Sequence, residues 1–426
     1  MASKIKINPM HQNDFGYGFI KSMVIASMVG LLAGTATAVF LTFLHMGEDR
    51  IHRWNDYYLL LPFVFYLSSL LVVKFIPSME EWRTDKLIAR IQDNTKSTHL
   101  RFLPVKLAAV FIALICGASA GKAGPCAQIG AGITYGLANF IHIQDKNIRK
   151  WFILYGISAS FSGIFGAPIA ATIFAAEMLC TNIFSWRLFA PIFTASYISY
   201  HINKLLAVPP LSEHVYFSTI HEANLLINLI IFAFFMGLLS MFFLWLLKQV
   251  EAVMQKINLP SPPKGMLGGL ILITIVYITD STDYIGLGTN VINRTLLGEA
   301  VFSFAFLLKI FTVCITLGTI KNGGLLTPVF YIGATAGNTW SQLMGSSLPL
   351  FSCIGMVALL APCTKTPLAA IILSVELFGI KVSAYTSIVC IITYLMVIDI
   401  SCYAHYCFRI RSILQFIKKE ILNKIT

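Results

Sequence analysis

The sequence predicts an all-α, polytopic membrane protein made of two structural repeats of tilted and broken helices, and three observations lead to this fold class. First, 57% of the 426 residues are hydrophobic and only 12% are charged, about half the charged fraction of a typical soluble domain. Second, long apolar runs recur along most of the chain. Third, the second half of the chain resembles the first. A chain of this composition lacks the polar surface that a domain in water needs.

Several of the apolar runs reach the length of about 20 residues that a helix needs to cross the hydrocarbon core of a bilayer. These runs cover residues 19–46, 57–76, 151–180, 186–206, 225–247, 301–317 and 382–403. Two further runs, 348–360 and 367–378, are too short to span a bilayer alone. Because backbone that stops inside a bilayer must be buried in protein or line a wet cavity, short segments broken by Gly and Pro indicate a path for a solute.

The two ends of the chain differ from its apolar body. Residues 1–16 form a polar segment, and the apolar run after it is too long for the core of a signal peptide. Residues 409–426 form a basic tail, which the positive-inside rule places in the cytoplasm. We expect both termini to be cytoplasmic. The net charge of +12 then fits cytoplasmic loops beside anionic membrane lipid, and not nucleic-acid binding.

The reactive side chains show no pattern of a catalytic or metal centre. Nine cysteines and nine histidines have no metal-ligand spacing, so the sequence predicts neither a metal site nor a disulfide framework. We expect the cysteines to be small buried hydrophobic residues. No nucleophile–base arrangement or Walker-type phosphate loop is evident, so we predict no enzyme activity and no cofactor.

The internal repeat appears as a shift of about 200 residues. In each half a lysine stands 19 positions before a proline, and further on a second proline stands nine positions before a glutamate. The equivalent pairs are Lys106 with Lys309, Pro125 with Pro328, Pro168 with Pro367, and Glu177 with Glu376. We therefore divide the chain into a first membrane repeat at 17–207, a linker at 208–222 and a second membrane repeat at 223–408. Repeats of this kind are typical of transporters, whose substrate site lies near the bilayer midplane between broken helices.

The first repeated anchor is a run of small residues that leads into a proline and an apolar helix. Proline is favoured in the first turn of a helix, and a helix N-terminus presents unpaired N–H groups and a partial positive charge that bind anions. Tight packing of helices through small residues is the alternative interpretation, but two symmetric runs favour an anion site. The predicted anion-pathway residues in these runs are Gly121, Lys122, Ala123, Gly124, Pro125, Gly323, Gly324, Leu325, Leu326 and Thr327.

The second repeated anchor places the carboxylates of Glu177 and Glu376 inside apolar helices. Because a charged carboxylate at mid-membrane costs a few kcal/mol, we expect each to face the bundle interior and to accept hydrogen bonds from backbone N–H groups. A structural brace is the predicted role, with proton transfer as the second. We expect Lys106 and Lys309 to snorkel or to lie in loops.

These motifs resemble those of the chloride channel/transporter (CLC) family, over nearly the whole chain. Residues 121–130 are similar to the family's GREGPxxQxG signature, and residues 323–337 to its GGxFxPxxxxGAxxG signature. Residues 166–177 and 366–376 are similar to its NAPxxGxxFxxE and APLTxxxxxxE stretches, and Leu103-Pro104-Val105-Lys106 also fits. The resemblance implies two inverted repeats, a homodimer with one anion pore in each subunit, bound chloride ions, and a place in a bacterial inner membrane. It points to the bacterial type without regulatory domains.

Two departures from the family pattern concern proton coupling. The glutamate of the signature, which gates the external anion site and takes up protons in the family, is replaced by Ala123. The second glutamate, which delivers protons from inside in many exchangers, is replaced by Met178. Because Ala123 and Met178 replace both proton-coupling glutamates, the resemblance implies a passive, proton-uncoupled chloride channel.

A third departure concerns the inner end of the pore. By register, Trp82 occupies the position of the central serine of the family's GSGIP loop, where it either narrows the pore or acts as an interfacial anchor. The family's pore tyrosine falls on Ile410, with Tyr403 and Tyr406 as nearby candidates.

Two alternatives to the channel stay open at this point. One is an anion/proton antiporter that uses other proton carriers, such as Glu177 or Asp399. The other is a non-conducting degenerate member of the family. Specificity for fluoride is a variant of the channel hypothesis.

Overall fold

The computed structural model describes residues 15–75, 103–143, 146–178, 186–209, 225–320 and 323–397. Within these ranges the regular elements are helices, apart from one isolated backbone bridge. The helices are α1 (Phe15–Ile51), a 3-10 helix (Tyr57–Leu60), α2 (Leu61–Phe75), α3 (Leu103–Ile115), α4 (Ala123–Phe140), α5 (Lys146–Phe165), α6 (Pro168–Met178), α7 (Trp186–Leu205), α8 (Leu225–Lys256), α9 (Ser261–Thr279), α10 (Thr289–Leu296), α11 (Ala305–Ile320), α12 (Leu326–Met344), α13 (Leu348–Ala358), α14 (Leu360–Thr364), α15 (Pro367–Phe378) and α16 (Ile380–Met396).

Four helical stretches of the described ranges are long and apolar enough to cross a membrane: α1, the 3-10 helix with α2, α8 and α9. Helix α9 is not among the predicted long runs, because two prolines, a lysine and three glycines dilute the hydrophobicity of its first half. The glycines have a packing role. A Cβ atom at Gly265 would lie 2.6 Å from the carbonyl oxygen of Phe65, and one at Gly269 would lie 2.6 Å from Cα of Pro62. They let α9 pack directly on the backbone of α2.

The apolar run predicted at 151–180 is two helices and not one. Helix α5 ends at Phe165, Gly166 adopts a φ of +66°, and α6 begins at Pro168. Hydropathy does not detect this break, since both pieces are apolar. Proline in the first turn of a helix and glycine in a left-handed conformation commonly occur at such a break. Short α6 is therefore a broken helix of the kind that lines sites inside transport proteins.

Equivalent helix pairs in the two repeats pack through equivalent glycines. Helix α4 packs on α5 and helix α12 packs on α13. A Cβ atom at Gly130 or Gly156 would overlap the backbone of the other glycine in the first pair, and the same holds for Gly333 and Gly355 in the second. The repeat that the sequence predicts is thus also a repeat of helix packing.

The two repeats meet where α6 packs against α15. The carboxylate near the end of each of these helices accepts hydrogen bonds from the first backbone N–H groups of the other. The four bonds run to Glu177 from Leu368 N (3.1 Å) and Ala369 N (2.8 Å), and to Glu376 from Ile169 N (3.0 Å) and Ala170 N (2.7 Å). The prediction that both carboxylates accept backbone N–H hydrogen bonds is confirmed. The pairing also makes α6 and α15 antiparallel, so a two-fold axis that relates the repeats is perpendicular to both helices.

The prediction for the two repeated lysines is wrong. Lys106 and Lys309 lie on α3 and α11, and their exposed fractions are 4% and 0%. The Lys309 ammonium donates to the carbonyl oxygens of Gly286 (2.7 Å) and Ile285 (3.3 Å), and it lies 4.7 Å from the centre of the Tyr331 ring. Because carbonyl dipoles and an aromatic face compensate a buried cation, the side chain has no need to reach water.

The predicted chain divisions fall largely on residues that the structure does not describe. Residues 1–14, 210–224 and 398–426 lie outside the described ranges, and they contain nearly all of the predicted N-terminal segment and linker and the whole basic tail. Helix α7 ends at Leu205 and α8 begins at Leu225, on either side of the predicted linker. The six cysteines of the described ranges are all buried, as predicted.

Candidate anion site

The first turns of α4 and α12 lie next to each other. The segments that lead into these helices are joined by two backbone hydrogen bonds, from Gly121 N to Gly324 O (2.7 Å) and from Gly324 N to Gly121 O (2.8 Å). The pair forms an isolated antiparallel bridge. Since Gly121 and Gly324 are equivalent positions of the two repeats, the bridge brings the two predicted glycine runs together.

Glycine is required on both sides of this bridge because of its close approach. A Cβ atom at Gly121 would lie 2.9 Å from the carbonyl oxygen of Gly324 and 3.0 Å from the backbone nitrogen of Thr327. A Cβ atom at Gly324 would lie 2.5 Å from the backbone nitrogen of Gly124. Gly323 has a φ of +110°, a conformation that residues with a side chain rarely adopt. The glycine runs therefore allow the helices to pack tightly and also allow the two helix ends to approach each other closely.

Each of the two helix ends presents backbone N–H groups. The first helical hydrogen bonds run from Cys126 N to Lys122 O (3.2 Å) and from Val329 N to Leu325 O (3.1 Å). N–H groups ahead of these bonds have no partner within the helix, and neither N-cap residue, Lys122 or Leu325, makes a side-chain cap hydrogen bond. Such an end carries a partial positive charge and donates to anions. Two such ends lie side by side here, and together they are the candidate site for a small anion.

The hydroxyl of Thr327 adds a donor to this site. The residue lies in the first turn of α12, its exposed fraction is 0%, and its Oγ1 has no hydrogen-bond partner among the described residues. A buried hydroxyl without a partner costs about 1–3 kcal/mol, and such groups in folded proteins call for an explanation. By contrast, Thr335 on the same helix donates to the carbonyl oxygen of Tyr331 (2.8 Å). An anion held between the two helix ends would give Thr327 the missing acceptor.

The segments around the two helix starts contain one formally charged residue. Lys122 is the N-cap of α4 and is half-buried, while positions 121–128 and 323–328 carry no other charged residue. Its electrostatic partner is Glu48, which lies in the last turn of α1 and is also half-buried. Glu48 is not among the predicted site residues. Nothing in the local sequence connects the end of α1 with a segment more than 70 residues later.

The two positions that bear on proton coupling are both buried. Ala123 is the first residue of α4 and has an exposed fraction of 0%. Met178 ends α6 and belongs, with Ala123, to the large apolar core cluster. Both oxygens of the neighbouring Glu177 are bound to the N-terminus of α15, so that carboxylate is already engaged as an acceptor.

The remaining predicted pore residues lie outside the described residues. These are Trp82, Tyr403, Tyr406 and Ile410, together with Asp399, which the antiporter alternative uses. Their places in the pathway stay predictions.

Comparisons with known proteins agree with this architecture. The model of a family described as voltage gated chloride channel matches residues 63–397. The chain is 28% identical over 390 residues to a chloride/fluoride channel protein of Pseudomonas syringae pv. tomato, covering 88% of this chain and 84% of the relative. The structure of a CLC-type fluoride/proton antiporter matches with a TM-score of 0.83 and 24% identity, covering 92% of this chain and 98% of that one. That of a slow cyanobacterial Cl⁻/H⁺ antiporter matches with a TM-score of 0.76 and 20% identity, covering 88% and 94%.

The family match runs from α2 to the end of α16 and contains both helix ends of the candidate anion site. The matched structures confirm the predicted fold class, an all-α membrane protein of two inverted repeats with broken helices. The chain belongs to the voltage-gated chloride channel (CLC) family of anion-transporting membrane proteins.

Proposed function

We propose that this chain provides a passive, proton-uncoupled pathway for chloride or a similar small anion across a membrane. The observation that carries the proposal is Ala123 at the first position of α4. Neither of the two meeting first turns contains a carboxylate that could take the place of the anion or carry a proton. What remains is a set of N–H and O–H donors with one cation, Lys122, beside them.

This arrangement suits an ion that must be bound and released. Partial charges at helix ends replace part of the hydration shell of the anion without a full counter-charge in direct contact. Conduction requires binding that is favourable enough for the ion to enter but weak enough for it to leave. Chloride and fluoride both fit the donor set, and the Pseudomonas relative is described as a channel for either halide.

Anion/proton exchange is the second candidate function. It is favoured by the matched structures, which are described as a fluoride/proton and a Cl⁻/H⁺ antiporter. In this chain the exchange would need another proton carrier, with Glu177 and Asp399 as the candidates. Glu177 accepts hydrogen bonds from Leu368 N and Ala369 N, and a proton on either oxygen would weaken the bond that this oxygen accepts.

Anion flux from proteoliposomes separates these functions. Vesicles loaded with potassium chloride or potassium fluoride and treated with valinomycin should release the anion, at a rate that a proton ionophore does not change, while the external pH stays constant. Stoichiometric proton movement, or uphill anion movement driven by a pH gradient, would establish the antiporter instead. Vesicles that release neither halide would identify a non-conducting member of the family.

We also propose that the protein is a homodimer in a bacterial inner membrane, with both termini cytoplasmic and one pathway in each subunit. The family resemblance and the basic predicted tail at 409–426 support this assembly and orientation. Light scattering of the purified protein, corrected for detergent, should give twice the chain mass of 47.2 kDa. A mass of one chain would contradict the dimer.

A further inference from the structure

The loop at 283–288, between α9 and α10, contacts the segment that leads into α4. Gly286 N donates a hydrogen bond to Gly117 O (2.8 Å), and a Cβ atom at Gly117 would lie 3.2 Å from Cδ1 of Ile285. The chain continues from Gly117 directly to the bridge at Gly121 and the start of α4. The loop therefore holds the chain just ahead of the first helix end of the candidate anion site.

The same loop contacts α12 at both of its own ends. Tyr331 lies one turn after Thr327 on α12 and has an exposed fraction of 0%. Its hydroxyl donates to Asp283 O (3.1 Å), and a Cβ atom at Gly288 would overlap its ring. The loop at 283–288 thus connects the segment ahead of α4 with the first turns of α12.

A hydroxyl of α11 adds a third contact to the loop. Thr312 Oγ1 donates to Tyr284 O (2.8 Å) and lies 3.0 Å from the hydroxyl oxygen of Ser119. Ser119 belongs to the segment ahead of α4, and Thr312, Ser119 and Tyr284 are all buried. Thr312 therefore joins the loop and this segment to α11.

The Lys309 ammonium holds the centre of the loop. Lys309 is one turn before Thr312 on α11, and it donates to the carbonyl oxygens of Gly286 (2.7 Å) and Ile285 (3.3 Å) while the Tyr331 ring covers it. Two consecutive carbonyl groups thus point at one buried cation. Without the ammonium, both carbonyl oxygens would lose this donor inside the protein, which is costly.

We infer that Lys309 is a positioning residue for the anion site: by holding the 283–288 loop, its ammonium fixes the starts of α4 and α12 relative to each other. The inference rests on the proposed function, because it concerns the site of the anion. Backbone N–H donors bind an anion well only when they converge on it, and such groups stay aligned only if the surrounding contacts fix them. Lys309 acts on the anion through the loop, since its hydrogen bonds run to the loop.

Calorimetric titration of the purified protein with potassium chloride and potassium fluoride tests the inference without any flux measurement. Lys309→Met should weaken halide binding roughly tenfold or more, the scale of one lost hydrogen bond to a charged group. Lys309→Arg should restore part of the affinity, because a guanidinium group can donate to both carbonyl oxygens.

Thr312→Val separates the loop from the lysine charge, because it removes the hydrogen bond to Tyr284 O and leaves Lys309 in place. It should weaken halide binding by about three- to tenfold, the scale of one neutral hydrogen bond. Thr316→Val is the matched control, since Thr316 is equally buried on the same helix and its hydroxyl donates to Thr312 O (2.8 Å). It should bind halide like the unmodified protein.

Hydrogen exchange of peptides that cover residues 116–121 supplies a readout of alignment. Exchange there should be faster in Lys309→Met and Thr312→Val than in Thr316→Val. A loss of affinity in Lys309→Met alone, with Thr312→Val binding like Thr316→Val, would show that the lysine charge acts on the anion directly and would overturn the positioning role.

Unchanged affinity in Lys309→Met would also overturn the positioning role, and in both cases the proposed function would stand. If Lys309→Met does not fold, the comparison of Thr312→Val with Thr316→Val decides, and equal affinities of these two would sink the inference. An unmodified protein that binds neither halide would overturn the proposed function first and this inference with it.

Discussion

Thr327 is a single residue at which the chemistry of the site can be tested with little change of shape. Thr327→Val keeps the side-chain volume but removes the buried, unpartnered hydroxyl. Because a hydrogen bond to a charged group contributes about 1.5–3 kcal/mol, we expect halide affinity to fall roughly tenfold or more. Calorimetric titration measures it. Thr335→Val, two turns along the same helix, is the control, since its hydroxyl is bound to Tyr331 O. An affinity of Thr327→Val equal to that of Thr335→Val would remove the hydroxyl from the site.

Ala123→Glu tests the position from which the proposed lack of coupling follows. The new carboxylate would lie in the first turn of α4, where a negative charge is stabilised by up to ~2 kcal/mol when it is partly buried. It should occupy the anion site and slow halide flux at neutral pH, and acid should restore the flux. The measurement is proteoliposome efflux between pH 7.5 and 4.5. Flux like that of the parent over this whole range would place Ala123 outside the anion pathway.

At the residue scale, the sequence predicts which residues belong to the candidate site better than it predicts which residues they contact. Glycine runs that lead into prolines are recognisable in both halves, and they lie at the meeting helix ends. The contact between Gly121 and Gly324 links positions about 200 residues apart, so no local pattern records it. The prediction that Lys309 snorkels or lies in a loop is wrong because its carbonyl partners, Ile285 and Gly286, come from a separate loop that no local pattern connects with it.

At the scale of elements, the exchange of N-terminal hydrogen bonds between α6 and α15 leads to a stability prediction. In Glu177→Gln or Glu376→Gln, an amide NH₂ group replaces one of the two carboxylate oxygens. A donor then faces the backbone N–H group that donated to this oxygen. Each substitution should destabilise the fold by about 2 kcal/mol. The two losses should be similar because the contacts are equivalent. The melting temperature of the detergent-solubilised protein should fall by several degrees in both variants.

Glu299→Gln is the matched control for these variants. Glu299 is exposed and pairs with Arg294 at 2.9 Å, an ion pair of a kind that contributes about 0–1 kcal/mol. Its loss should leave the melting temperature nearly unchanged. If Glu177→Gln melted like Glu299→Gln, the carboxylate would not be a brace, and proton transfer would become the better account of its place in the membrane.

The sequence predicts most helices of the described ranges but not every helix boundary. Hydropathy finds α1, α2, α7 and α8 because each is one long apolar run. It joins α5 to α6, since the break at Gly166 is a matter of backbone conformation and not of hydrophobicity. It misses α9, whose glycines are there to meet the backbone of α2. Where packing and not lipid contact selects the residues, hydropathy is a poor guide.

At the scale of the whole molecule, the contacts between the repeats are non-covalent and symmetric. We therefore expect the protein to assemble from two separately expressed chains that are divided within residues 208–222. The exchanged bonds of α6 with α15 and the Gly121–Gly324 bridge should hold the halves together. Copurification through a tag on one half measures this. In the pair with both Glu177→Gln and Glu376→Gln, copurification should be lower. Halves that never copurify would show that the covalent connection is needed for assembly.

The bridge between Gly121 and Gly324 also bears on the origin of the chain. If a single ancestral gene encoded one repeat, two identical copies would have met at this bridge, and every mutation would have altered both helix ends at once. Duplication and fusion of that gene would have removed this constraint. In the present chain Lys122 is at the repeat position equivalent to Leu325, and Gly124 at that equivalent to Thr327. One end could thus acquire a charge and the other a hydroxyl, so an anion bound between them would meet two different faces.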